Sequence, residues 1–141
     1  MGVLSDVFVA DREEAEQVDP ALGPSGELPT YQAKSLDPVI LGQLESAITG
    51  LPYEQLSRSL VGVHFESSEG ESGVHDVRPA LVEALAGLSE ERIVSVAARW
   101  SEAEEWYGAS GPDLEPLVRG LAGLARKAVE VDKGLWVWWS L

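Results

Sequence analysis

The chain has 141 residues, 45% of them hydrophobic and 24% charged, a length and balance that fit one globular domain whose core needs no staples. Cysteine is absent, which excludes disulfides, thiolate metal sites and a cysteine nucleophile. Twenty-four acidic residues against ten basic ones give a formal charge of −14, a field that repels phosphate backbones and anionic lipid heads and so argues against nucleic-acid and membrane partners.

The same field speeds encounter with a basic protein partner, or simply maintains solubility. The longest apolar runs are too short to cross a bilayer. The opening "MGVLSDVFVADREE" has no cation ahead of its apolar part and no A-x-A-like cleavage pattern, and Asp6 stands where a myristoylation signal needs Ser or Thr. A cytoplasmic protein is expected.

The first predicted element is a strand over 2–10. Val3, Val7 and Val9 fall on one side and Leu4, Phe8 and Ala10 on the other, which suits burial on both faces. Asp11 then reads as an N-cap and Glu14 as its capping-box partner, opening a short helix in "DREEAEQV". Pro20, Gly23, Pro24, Gly26 and Pro29 mark "DPALGPSGELP" as irregular and as the expected mobile loop. In "SLDPVILGQLESAITG", Asp37 caps, Pro38 takes the first helical position, and Ile40, Leu41, Leu44, Ala47 and Ile48 share a face that ends at Gly50. After a helical turn in "YEQLSR", "SLVGVHFE" alternates as a strand, and "SSEGESG" reads as a polar loop.

From Val77 onward the periodicity is helical. "RPALVEALAGL" repeats Leu81, Val82, Leu85 and Leu88; "SEERIVSVAARWSEAEEWYG" reads as one helix from Ser89 with Ile93, Val96, Ala97, Trp100 and Ala103 in a stripe. The last predicted helix runs from Asp113 to Gly134. Its Gly120 and Gly123 each cost about 1 kcal/mol of helix stability, so a strand or a bulky ring is expected to pack against them. The closing "LWVWWSL" is apolar on both strand faces and is placed centrally in a sheet beside the first strand. Trp136 and Trp138 are read as core, or else as a docking face. The expected architecture is a single α+β domain over 1–141: a small mixed or antiparallel sheet from segments near 2–10, 59–66 and 135–141, packed by four or more helices.

Two clusters could carry chemistry. His64, Glu66 and His75 offer imidazole and carboxylate ligands to a divalent metal, at a spacing that matches no established zinc signature; the alternative is a hydrogen-bonded strand histidine beside solvated glutamates. Glu104 and Glu105 beside Trp106 and Tyr107 place carboxylates next to aromatic rings, as a partner-binding patch or merely as the packed stripe and solvated edge of a helix. Phosphate-loop, dinucleotide, nucleophile-elbow and zincin motifs are all missing.

The two ends, "MGVLSDVFVADREEAEQV" and "DLEPLVRGLAGLARKAVEVDKGLWVWWSL", resemble small bacterial YfbM-like proteins, a family of unknown function, in having a strand opening at residue 2 and a long helix leading into a terminal apolar strand. The resemblance implies a bacterial cytosolic α+β protein with no established catalytic residues. The expected function is a non-enzymatic module whose acidic surface engages a basic protein, in the manner of an immunity or inhibitor protein. The alternatives are a small metal-dependent enzyme using His64, Glu66 and His75, and a homodimer whose interface uses Trp136 and Trp138.

Overall fold

The computed structural model describes residues 4–56, 64–67 and 69–141, with Glu105 described by its backbone alone. Five strands form one antiparallel sheet: β1 (Leu4–Ala10), β2 (Thr30–Lys34), β3 (His64–Glu66), β4 (Ser72–Asp76) and β5 (Gly134–Ser140), in the order β2-β1-β5-β4-β3. The helices are α1 (Arg12–Glu16), α2 (Pro38–Thr49), α3 (Tyr53–Leu56), α4 (Pro79–Ala86), α5 (Glu90–Trp100) and α6 (Gly111–Glu130). The α+β expectation holds, with β5 central and paired to β1 from Leu4↔Ser140 to Ala10↔Gly134. No helix among the described residues is long and apolar enough to cross a membrane.

The alternation of β1 and β5 divides the molecule into two cores. Val7, Val9, Leu135 and Val137 face the main helical layer, where α6 and α4 lie on the sheet and α5 packs on α6 and α2. Trp100 is buried at the centre of that layer, its indole N–H donating to the Ile40 carbonyl at 3.0 Å. On the opposite face, Phe8, Ala10, Val74, Trp136 and Trp138 are closed over by Ala15 and Val18 of the α1 region and by Leu28.

The segment expected to be a mobile loop forms part of this cover. Pro20 accepts the Trp138 indole N–H at 2.8 Å, and Gly23, at φ 83°, sits against the same ring. Trp136 donates to the Ala10 carbonyl at 3.0 Å and stacks on Phe65. With 6% and 9% exposure, Trp136 and Trp138 are core in the folded chain. Burial of this size contributes roughly 4–6 kcal/mol per ring as an upper bound. Lys133 Nζ, 2.6 Å from Glu14 Oε1, ties α1 to the approach to β5.

Most helix boundaries follow their caps. Asp11 and Glu14 complete a capping box, Asp37 accepts from the Ile40 N–H, Gly50 ends α2 at φ 78°, and Ser89 starts α5. The expected single helix from Ser89 through Trp106 breaks at Trp100. The chain turns, passes through a 3-10 turn at Glu104–Trp106, and brings Trp106 back edge-on to Trp100, with ring centroids 4.8 Å apart. Pairing two large rings this way stabilises by about 1 kcal/mol beyond area alone, which a continuing helix would forfeit.

Strands β2 and β4 were not expected, because "TYQAK" is half polar and "SGVHD" has a single strand-type apolar residue. The sheet supplies what those sequences lack, since both pair with strongly apolar neighbours. Of the strand expected near 59–66, residues 59–63 lie outside the described residues. Gly120 meets its expected ring: a Cβ there would stand 2.2 Å from Tyr31 Cε2. Gly123 does not, having nothing within 4 Å, so its expected packing is corrected. The last helix ends at Glu130, and Gly134 begins the strand instead of closing the helix.

Candidate functional site

Register builds the first candidate site on the helix-facing side of the sheet, near its β3 edge. His64 pairs with His75, which pairs with Val137; Glu66 pairs with Gly73, which pairs with Trp139, which pairs with Ser5. Period-2 alternation sends all these side chains to one face. His64, Glu66 and His75, nominated as metal ligands from sequence, therefore come together along two adjacent rows. They line a cavity of about 530 Å³ whose floor is Trp139 and whose far wall is the β2–α2 connection, including Leu36, Asp37 and Pro38.

Each wall has a local cause. Gly73 is required because a Cβ would lie 2.7 Å from the Phe65 carbonyl and 2.8 Å from the Trp139 indole, so the ring packs on bare backbone. Ser5, fully buried, accepts the Leu36 N–H at 3.1 Å and fixes the connection against β1. Ser35 takes the left-handed φ of 59° that turns the chain from β2 towards the Asp37 cap. Leu141 stands exposed at the rim.

The two histidines differ in state. His75 is 4% exposed, and its Nδ1 lies 3.0 Å from the Asp76 carbonyl. A carbonyl only accepts, so Nδ1 carries the proton. Burial pushes the imidazole pKa down, with the Asp76 carbonyl and the charges of Asp76 and Asp37 opposing and His64 adding to the shift. The ring is thus neutral at pH 7, with a lone pair on Nε2. His64 is exposed at the rim, its Nε2 3.2 Å from Glu66 Oε1. Among the described residues, no three His, Asp or Glu side chains are arranged to hold a metal ion.

The second site is the turn that follows α5. Tyr107 is 94% exposed at φ 50°, followed by Gly108 at φ 87°. A left-handed backbone costs a bulky residue of order 1 kcal/mol. Trp106 beside it is half-buried against Trp100, and its indole N–H is buried with no hydrogen-bond partner. Glu102 and Glu104 are exposed around this pair. The four residues nominated as a partner-binding patch thus separate: Trp106 packs inward, Tyr107 and Glu104 face solvent, and Glu105 is not described beyond its backbone.

The distribution of cations sharpens the charge. Arg92 and Arg99 donate to the Ile48 and Ala47 carbonyls at the end of α2, at 2.8 and 3.5 Å, and Arg126 donates to the Ala86 and Leu88 carbonyls at the end of α4. There they offset the negative end of each helix. Arg12, Arg78, Arg119 and Lys133 pair with Glu16, Glu45, Glu90 and Glu14. Glu13, Glu27, Glu69, Glu71, Glu91 and Glu102 are exposed outside these pairs. Cations are largely committed internally, leaving an acidic exterior.

Sequence reasoning missed Trp139, Ser5 and the β2–α2 connection as parts of the cavity. The signal available was the pairing of a large ring with a glycine, which becomes legible only once β4 is placed beside β5. No family model matches the chain, and no curated protein and no solved structure matches it either.

Proposed function

We propose that the protein is a non-enzymatic binding module that docks a basic protein partner around Tyr107. The observation that carries this reading is the exposure of that ring, 94% on a left-handed turn close in sequence to the exposed Glu102 and Glu104. A tyrosine has only two side-chain torsions to order on docking, and exposed tyrosines are typical centres of binding energy. The internally committed arginines support the same reading, because they leave carboxylates to steer a cationic surface into contact.

The test is affinity capture from a bacterial lysate, with wild-type protein and Tyr107→Ser compared at low and high salt. The expected result is a basic protein retained by the wild type at low salt and lost with Tyr107→Ser, where removal of an anchor weakens binding by about thirtyfold. Capture that is identical for both proteins, or that strengthens with salt, refutes the proposal.

A further inference from the structure

The cavity over Trp139 has a chemistry of its own, independent of the Tyr107 surface. Its volume of about 530 Å³ lies in the range that holds small organic ligands. Its floor is an indole ring half-open to the cavity, and its walls include Leu36, Pro38 and Leu141, so it favours a flat apolar body. Its polar lining consists of His75, Glu66 and Asp37, of His64 already set against Glu66, and of the hydroxyls of Ser5 and Ser35. Among the described residues no group uses the lone pair of His75 Nε2, and Glu66 and Asp37 are carboxylates. No lysine or arginine among the described residues lines the space.

Each group constrains the ligand. An acceptor on a buried, neutral imidazole favours a ligand that brings a donor. Two carboxylates, with no lysine or arginine among the described lining residues, repel an anionic ligand and attract a positive one. An indole face adds attraction for a cation or a second ring. Gly73 lets the Trp139 ring pack directly on the backbone of the neighbouring strand, so the ring is in place before anything binds.

We infer that this cavity is a binding site for a small arylalkyl ammonium compound. The ring lies on Trp139 between Leu36 and Leu141, and the ammonium donates to His75 Nε2 and to the carboxylates of Glu66 and Asp37. The step is binding alone, and no bond is made or broken.

Calorimetric titration of the full chain with 2-phenylethylammonium, phenylacetate and ethylammonium at neutral pH tests this. One equivalent of 2-phenylethylammonium is expected to bind, with phenylacetate and ethylammonium at least about tenfold weaker, since each lacks one of the two features the site selects. Glu66→Gln, at the exposed rim, is expected to weaken binding about tenfold by removing a charged acceptor without disturbing the fold. Trp139→Leu keeps the apolar floor and loses the ring, with a loss of similar size. The inference is overturned if phenylacetate binds as well as the amine, if neither variant changes the affinity, or if no heat of binding is seen at millimolar ligand. Circular dichroism melting of each variant confirms that a lost signal reports the site and not unfolding.

Discussion

Two glycines three residues apart on α6 separate helix propensity from packing. At Gly123 a methyl group meets open space, so Gly123→Ala is expected to stabilise by about 1 kcal/mol through the backbone alone. At Gly120 the same methyl would stand 2.2 Å from Tyr31 Cε2, 2.6 Å from Cζ and 2.7 Å from Cδ2, far inside the 3.4 Å at which ordinary contact begins. The ring bridges β2 to α6 and must give up its place against the helix to admit the methyl, so overpacking of about 1–3 kcal/mol is expected to exceed the propensity gain. Gly120→Ala should be destabilising by about 1 kcal/mol net, and the two variants should melt on opposite sides of the wild type, each displaced by about 4 °C. Urea denaturation provides the free energies, and Tyr31→Ala completes the argument. In that background Gly120→Ala should turn stabilising, giving a coupling of about 2 kcal/mol. Equal shifts for the two glycines, or a Gly120 effect indifferent to Tyr31, would show that the ring does not hold this position.

Arg78→Met should cost about 3 kcal/mol in urea denaturation because it strands the buried Glu45 carboxylate, 2.8 Å from the guanidinium, while Glu45→Met combined with Arg78→Met should cost less than Arg78→Met alone. Burial lowers the His75 pKa in the folded state, so the unfolded chain takes up the proton first. His75 therefore contributes stability above its ordinary value of about 6.5, and that contribution falls away as the pH drops below it. The stability of His75→Gln relative to wild type, followed by urea midpoints from about pH 7.5 to about pH 5, should improve on acidification; a constant difference would refute this. Deleting residues 135–141 removes the strand that pairs with both β1 and β4, and circular dichroism should then show no cooperative melting.

Much of this fold was legible because its signals are local. Asp37, Pro38 and Gly50 bracket α2 through cap chemistry that acts over a few residues, and the two-faced apolarity of β1 and β5 announces a sheet interior. What escaped is decided by distant partners. Nothing in "SGVHD" marks a strand until Val74 is set between Trp138 and Phe65. Helical periodicity continues past Trp100, and only the return of Trp106 onto that ring explains the break. The candidate site divides in the same way. His64, Glu66 and His75 could be grouped by nearness in sequence, whereas Trp139 and Leu36 reach the cavity from opposite ends of the chain.

The seam between β1 and β5 joins Leu4 to Ser140. Closing so long a loop costs roughly 2 kcal/mol more entropy than closing one of about ten residues, and that cost falls due before any seam contact is gained. Short-range contacts among α4, α5 and α6 carry no such handicap, so the helical layer should be the early scaffold and the seam the final zip. Weakening the seam, for instance by Val7→Ala, should then leave the refolding rate nearly unchanged and hasten unfolding, which makes this join the clasp that sets how long the native molecule lasts.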